Sequence, residues 1–304
     1  MAISQYIKEI GRGARGAKPL SREQATDLFG QVLDGQVSDL EIGAFCLAMR
    51  IKGETAEEMC GFLDATHSRL ALLPATDRPL IVLPSYNGAR KLPVLTPLLA
   101  LLLAQRGWPV LVHGHSTEER RISSQAVLAA LGVDALTKLH AIQPGQVAFA
   151  PTALLLPGLA RLLDVRRALG LRSSAHSVVK LMDPLSPVAG DSLVVSSYTH
   201  PEFAISMAET IALTGLDALL LRGTEGEPVA DPRRTPQMDA FQAGQRRRVQ
   251  EAQEGPLATL PQLPSSIDAA STADYIRAVL AGSRPVPAPI ALQVEHISQL
   301  AEKI

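Results

Sequence analysis

Apolar positions along this chain change period once, and the change divides it. From residue 20 to 70 they recur at helical spacing. Ala25, Leu28, Phe29, Val32 and Leu33 make one stripe, ended by Gly35. Leu40, Ile42, Phe45, Cys46 and Met49 make a second, ended by Gly53, and Met59, Phe62 and Leu63 a third within Glu54–Leu70. Ser21 with Gln24 three residues on reads as a capping box, and Ser38 as a second N-cap. After a linker, Ala71–Arg78, short apolar runs alternate with helical stretches. Pro79–Pro84, Val147–Leu156, Ser192–Ser197 and Leu216–Leu221 read as strands, with Trp108–Val112 beside them. Leu92–Arg106, Ile122–Leu131, Leu159–Leu169, Leu171–Leu181 and Pro201–Leu213 read as helices. Beyond Ala230 the pattern weakens, until Thr272–Ala281 and Ile290–Ile304 close the chain as helices. This alternation predicts an α/β fold: a small N-terminal helical bundle, residues 1–74, then a larger α/β domain, residues 75–304, with a mostly parallel sheet.

Composition adds little except through its local imbalance. The 304 residues can bury a large core, and 46% hydrophobic with 19% charged is an ordinary globular balance. Net charge is −1, so an anion-binding role has to come from uneven placement of the cations. The N-terminus is such a place: Lys8, Arg12, Arg15, Lys18 and Arg22 face only Glu9 among three glycines and a proline, which suggests a solvated, mobile arm. Cys46 and Cys60 lie among apolar helical residues and read as buried hydrophobes, not a disulfide. Met1–Gly11 has no apolar core of leader length, and the run around Val94–Ala104 is too short to span a bilayer. A cytoplasmic protein without membrane contact is expected.

The candidate chemistry gathers in the strand–loop–helix–strand unit Pro79–Gly114. The loop after the first strand of such a unit opens on a ligand crevice and normally cradles phosphate with glycine amides. Here it is poor in glycine and carries Arg90 and Lys91. Arg120 and Arg121 stand on the next loop, where Glu118 and Glu119 compete as local partners. Arg172, Lys180 and Arg222 fall at nearby element ends. His113 and His115 without a placed carboxylate or cysteine do not make a metal site, so no cofactor is expected. Glu225 and Glu227 read as capping or turn residues, and Arg246–Arg248 as a solvated helix face. Aromatic content is 4%, with Tyr86 and Tyr198 placed near the crevice.

Leu20–Ala65, with Asp34-Gly35-Gln36-Val37-Ser38-Asp39 and Ala48-Met49-Arg50-Ile51-Lys52-Gly53-Glu54-Thr55, resembles the helical domain of anthranilate phosphoribosyltransferase. It looks most like the YbiB-type branch of that family, whose members bind nucleic acid instead of catalysing. The likeness runs to about Val229. It implies a nucleoside phosphorylase/phosphoribosyltransferase-like fold and a homodimer through the N-terminal helices. The family's Gly-Thr-Gly-Gly-Asp falls on Pro84-Ser85-Tyr86-Asn87-Gly88, and its Asn-x-Ser-Thr on Val94-Leu95-Thr96-Pro97. Its Lys-His-Gly-Asn-Arg falls on Val112-His113-Gly114-His115-Ser116. Its metal-holding Asp-Glu falls on Pro228-Val229, with Glu227 and Glu225 one and three residues from register. Its Arg-Thr-x-x-Asn falls on Arg172-Ser173-Ser174-Ala175-His176, which adds His176 to the candidates.

Pyrophosphate with magnesium needs closely approaching amides and carboxylates on the metal, and these substitutions remove both. The expectation is a non-catalytic protein that binds single-stranded DNA or RNA with little sequence preference. Its basic groove is expected to comprise Arg90, Lys91, Arg120, Arg121, Arg172, His176, Lys180 and Arg222, extended by Arg12, Arg15 and Lys18. The alternative is a phosphoribosyl- or other glycosyltransferase with an altered substrate.

Overall fold

The computed structural model describes residues 3–13, 15–74, 76–185 and 191–304. Met1, Ala2 and, within the expected linker, Ala75 lie outside the described residues. Four helices come first: α1 (Ser4–Ile10), α2 (Arg22–Leu33), α3 (Asp39–Lys52) and α4 (Ala56–His67). Capping boxes open α2, α3 and α4, from Ser21, Ser38 and Thr55, each answered by Gln24, Glu41 and Glu58. Phe29, Phe45 and Phe62 meet in their core, Phe29 stacked on Phe62 with centroids 4.7 Å apart. Glu58, wholly buried, accepts from Leu20 N at 2.9 Å and Lys52 Nζ at 2.6 Å. Its carboxylate thereby fixes both chain corners.

The N-terminal segment is a correction to the sequence reading. Lys8, Arg12, Arg15 and Lys18 are solvated as expected, but the segment is not a free arm, because Ile3 and Ile10 are buried and α1 packs on α3. Lys18 N donates to Glu9 O at 3.0 Å and Arg12 pairs with Glu9 at 2.7 Å, so the basic segment folds back on its own helix.

The α/β part runs β1 (Leu80–Ser85), α5 (Thr96–Gln105), β2 (Val110–Gly114), α6 (Ser124–Ala130), β3 (Val147–Pro151), α7 (Thr152–Leu155), α8 (Pro157–Leu169) and α9 (Ala175–Val178). It continues with β4 (Ser192–Tyr198), α10 (Pro201–Thr214), β5 (Ala218–Arg222), a 3-10 turn Thr224–Gly226, β6 (Met238–Gln242), β7 (Gln245–Gln250), α11 (Ala269–Leu280) and α12 (Ala288–Ala301). One seven-stranded sheet has the order β3-β2-β1-β4-β5-β6-β7. Its first five strands are parallel and mostly apolar, as a sheet covered on both faces requires. The bundle, α8, α9 and α10 cover one face, and α5, α6, α11 and α12 the other.

Three local expectations change. Arg246–Arg248 is not a helix face: it lies in β7, antiparallel to β6. Val147–Leu156 is a strand only to Pro151 and then turns into α7. Leu171–Leu181 is helical only over α9.

Candidate functional site

Strand order reverses between β1 and its neighbours β2 and β4, so the carboxyl ends of these strands open on the crevice typical of such sheets. The loop after β1 leaves Ser85, passes Gly88 at φ +65° and reaches α5. At Gly88 a Cβ would stand 2.8 Å from Ile122 O, because Ala89 and Ile122 exchange main-chain hydrogen bonds there. The resulting curl points the amides of Asn87, Gly88, Arg90, Lys91 and Leu92 to one side.

Two carboxylates fill that concavity, delivered by the turn after β5. Glu227 Oε1 accepts from Asn87 N and Gly88 N, both at 2.8 Å. Its Oε2 accepts from Ser85 Oγ and, at 3.1 Å, from Thr96 Oγ1. Glu225 Oε1 accepts from Lys91 N at 2.8 Å, Leu92 N at 3.0 Å and Arg90 N at 3.3 Å. Glu227 is 1% exposed. On the Ser85–Gly88 side of the loop about 20 Å³ of space remains, room for about one water. Capping is thus the observed role of Glu225 and Glu227, across more than 130 residues of sequence.

The candidate cations do not share one rim. Arg90, Lys91, Arg120 and Arg222 are exposed and form no ion pair among the described residues. Lys91 and Arg222 line an open groove of about 920 Å³ with Tyr198, His200, Arg233 and Arg234. Arg172, His176 and Lys180 instead line a cleft of about 340 Å³ between the bundle and the sheet. Tyr198, Thr199 and His200 border both openings and make them continuous. Arg12, Arg15 and Lys18 stand on the α1–α2 connection of the bundle.

Several candidates are spent on internal contacts. Arg121 pairs with Glu118 at 3.0 Å and reaches Glu225 at 3.7 Å. Glu118 also holds Arg166 at 2.6 Å and lies 3.6 Å from Arg172. Lys180 Nζ donates to Ser197 O at 2.8 Å and Gly226 O at 3.1 Å, tying β4 to the turn that carries the carboxylates. Burial brings its ammonium down to about 8, against the pull of Glu227 upward. His176 cannot serve as a cation: burial, then Arg172 and Arg166, push its pKa down to about 3. Its Nδ1 accepts from Ser173 N at 3.3 Å, and its Nε2 has no partner among the described residues.

Tyr86 is likewise unavailable for stacking, being 6% exposed. Tyr86 Oη lies 2.7 Å from His113 Nδ1 and 2.9 Å from Thr152 Oγ1, and Thr152 Oγ1 donates to Gly114 O at 3.0 Å. Burial keeps the His113 ring neutral, with a pKa down to about 3. No group of three or more potential metal ligands occurs among the described residues.

Sequence reasoning passed over Arg233 and Arg234, whose dibasic pair inside a proline-punctuated stretch was the available signal. It also missed where the acids go. The signal was Gly223-Thr224-Glu225-Gly226-Glu227, two acids displaced from the register of the family's metal pair.

Comparison with known proteins places this geometry. A family model described as the helical bundle domain of a glycosyl transferase family matches residues 4–69. The uncharacterized protein YbiB of Escherichia coli (strain K12) is 39% identical over 303 residues, covering 97% of this chain and 92% of YbiB. The chain belongs to the anthranilate phosphoribosyltransferase-like family. The anthranilate phosphoribosyltransferase of Persephonella marina is 26% identical, over 74% of this chain and 66% of its own length. The crystal structure of anthranilate phosphoribosyltransferase from Thermus thermophilus superposes with a TM-score of 0.75 at 22% identity, covering 100% of this chain and 90% of that one. The likeness therefore does not stop at about Val229, as the sequence reading expected: with YbiB it runs through the C-terminal quarter in sequence, and with the Thermus thermophilus enzyme in fold.

Proposed function

We propose that this protein binds single-stranded nucleic acid through the groove lined by Lys91, Arg222, Arg233 and Arg234, with the exposed Arg90 next in sequence to Lys91, and that it does so as a homodimer without transfer chemistry. The observation that carries the reading is the division of labour on the β1–α5 loop. Its inward amides are consumed by Glu225 and Glu227, whereas its outward side chains, Arg90 and Lys91, stay exposed and unpaired among the described residues. A phosphate chain can meet the outer face and finds no free amide on the inner one. His200, exposed where groove and cleft join, gives a base a place to stack.

The transferase alternative gains little from this arrangement. Transfer of a phosphoribosyl group needs the leaving pyrophosphate to be stabilised, and one preorganised contact alone is worth about 10²–10³ in rate. The carboxylates stand where those contacts would form.

The dimer draws support from α3. Leu40, Leu47 and Ile51 are exposed at helical spacing, with Gly43 between them facing open space. A stripe of this kind buried by a second copy would present the groove twice.

Filter binding of an unstructured oligonucleotide across a salt series tests the reading. With roughly six phosphates neutralised, log affinity should fall against log salt with a slope of about −4. R90A/K91A should flatten the slope by about 1–1.5, alike for all sequences, because phosphate contacts carry no base information. Salt-independent binding, or magnesium-dependent turnover of phosphoribosyl pyrophosphate by the same preparation, would favour the transferase.

A further inference from the structure

Two side chains on the cleft wall are not needed to hold a phosphate chain, and both stand on one helical turn. His176 and Lys180 are four residues apart, and the turn of α9 runs on through Val179, so they share a face. Both line the cleft of about 340 Å³. Lys180 Nζ donates to two main-chain oxygens, Ser197 O at 2.8 Å and Gly226 O at 3.1 Å. A neutral amine has two N–H groups, which is enough to serve both. Ser197 Oγ gives its own proton to Gly226 O at 2.8 Å and so offers none to Nζ. The lone pair of the amine then meets no donor among the described residues. Burial brings the ammonium down to about 8, against the upward pull of Glu227 and with a further push down from Arg172. Compared with an ordinary lysine near 10.4, the free-amine fraction at neutral pH is roughly 10²-fold larger. His176 is the complement. Its Nδ1 accepts from Ser173 N, so its proton sits on Nε2, a buried donor without a partner among the described residues.

We propose that Lys180 is a Schiff-base lysine, whose amine condenses with the open-chain aldehyde of a sugar that has lost its base, the His176 Nε2–H serving as donor to the aldehyde oxygen. The lone pair of Nζ adds to the aldehyde carbon, and one amine proton passes to the oxygen, giving a carbinolamine. The second amine proton leaves with that hydroxyl as water, and a C=N bond remains. No oxidant, reductant or cofactor is consumed. An aldehyde asks least of such a lysine, because the condensation expels nothing but water. Aldehydes of this kind stand at an abasic position within a strand and on a free sugar phosphate. The cleft opens into the groove at Tyr198–His200, so a strand lying along Lys91 and Arg222 can turn one base-less sugar inward. For that source the proposal rests on the strand-binding reading. Arg50 and Arg172 also line the cleft and suit the adjoining phosphate of either source.

The test incubates the whole chain with an oligonucleotide holding one abasic position, with the same oligonucleotide intact, and with free 2-deoxyribose 5-phosphate. Samples are quenched with sodium borohydride, which reduces an imine to a stable amine, and adducts are located by mass spectrometry of peptides. The abasic strand should be trapped on Lys180 and the intact strand nowhere. The trapping rate should rise with pH and reach half its plateau near pH 8. K180R keeps a donor for Ser197 O but has no nucleophilic amine, and should lose the adduct while still melting near wild type. H176L should slow trapping without moving the half-plateau pH. Locating the adduct on the wild-type chain decides the site even where a variant folds badly. Adducts spread over exposed lysines such as Lys91 and Lys138, and unchanged in K180R, would overturn the proposal. So would a rate still climbing at about pH 10, where an ordinary lysine titrates. Trapping of the free sugar on Lys180 without trapping of the strand would keep the nucleophile and remove the strand as its source. Filter binding of the intact strand in the same buffer separates the two readings. Lost strand binding with Lys180 still trapped by the free sugar counts against strand binding alone, and strand binding without any Lys180 adduct counts against the Schiff base alone.

Discussion

His176 and His113 occupy positions where charge would be costly, and each stays neutral for its own reason. His113 is wholly buried at the end of β2, in the hydrogen-bonded chain through Tyr86 and Thr152. His176 faces Arg172 and Arg166 from a cleft wall. Both pKa values fall to about 3, against an ordinary value near 6.5. Between those limits the unfolded chain binds protons that the native state refuses, so the unfolded state is favoured as pH falls. Stability should therefore be fully present above about pH 6.5 and drain away as pH drops below it. Each histidine contributes a slope of up to about 1.4 kcal/mol per pH unit. H176N keeps an acceptor for Ser173 N and removes the titrating ring. In denaturant titrations between pH 7 and 4 it should lose stability less steeply than wild type, with the two differing by a constant above pH 7. Parallel slopes across the acid range would show that His176 does not resist protonation. The same residue was legible in the sequence as a site candidate only through the family's asparagine; its neutrality was not, because it depends on arginines from α8 and the segment after it.

At the scale of elements, visibility in the sequence followed burial. The strands β1, β2, β4 and β5 announce themselves because both faces are covered and each carries an uninterrupted apolar run, with polar residues at the strand ends. The hairpin β6–β7 was hidden for the opposite reason. Gln245–Gln250 is an exposed edge, and edges carry charge instead of an apolar alternation. Its two-residue turn, Ala243 at φ +46° and Gly244 at φ +77°, has the backbone of a hairpin turn without the asparagine that usually signals one. What holds the edge is Asp239 on β6, 2% exposed, which pairs with Arg246 at 2.8 Å and Arg248 at 2.5 Å. The neighbouring Arg247 projects to the other face of the strand by period. Removing both partners strands a buried carboxylate, so R246A/R248A should cost about 1–3 kcal/mol. R247A should be nearly neutral. Urea midpoints at constant m-value check this, and equal effects of the two variants would refute the assignment of Asp239 as the clamp. It follows that a triple change at Arg246–Arg248 is a poor control for nucleic-acid binding, since it also loosens the sheet edge. R247A alone is the usable one.

The whole molecule was legible where contacts are local and opaque where they are distant. Caps, a proline-started α5 and glycine stops marked the helices of the bundle and the alternation of strand and helix that makes a parallel sheet. The meeting of Glu227 with Asn87 spans 140 residues, and no spacing rule encodes it. The basic rim imagined from the chain order divided into a groove and a cleft, because side chains at adjacent loop ends leave the sheet in different directions. The N-terminal cations, read as a free arm, proved to be anchored by Ile3 and Ile10. What remains unsatisfied on the molecule is the outer face of α3. Leu40 is 84% exposed, Ile51 58% and Leu47 49%, the most exposed large apolar residues of the described bundle. Positions 40, 43, 47 and 51 follow one helical stripe, and Gly43 leaves its middle flat enough for a second helix to approach. The proposed homodimer would bury that stripe against its own copy around a two-fold axis, each Leu47 beside the partner helix. Light scattering at micromolar concentration should then return twice the chain mass for wild type. L47E/I51E adds charge at two positions that touch nothing else in the chain's core, so it should yield a folded monomer with unchanged helical content. Its affinity for a long oligonucleotide should drop more than for a short one, because the loss is of a second groove and not of any contact within the first. A wild-type mass of one chain, or a variant that stays dimeric, would remove α3 as the interface.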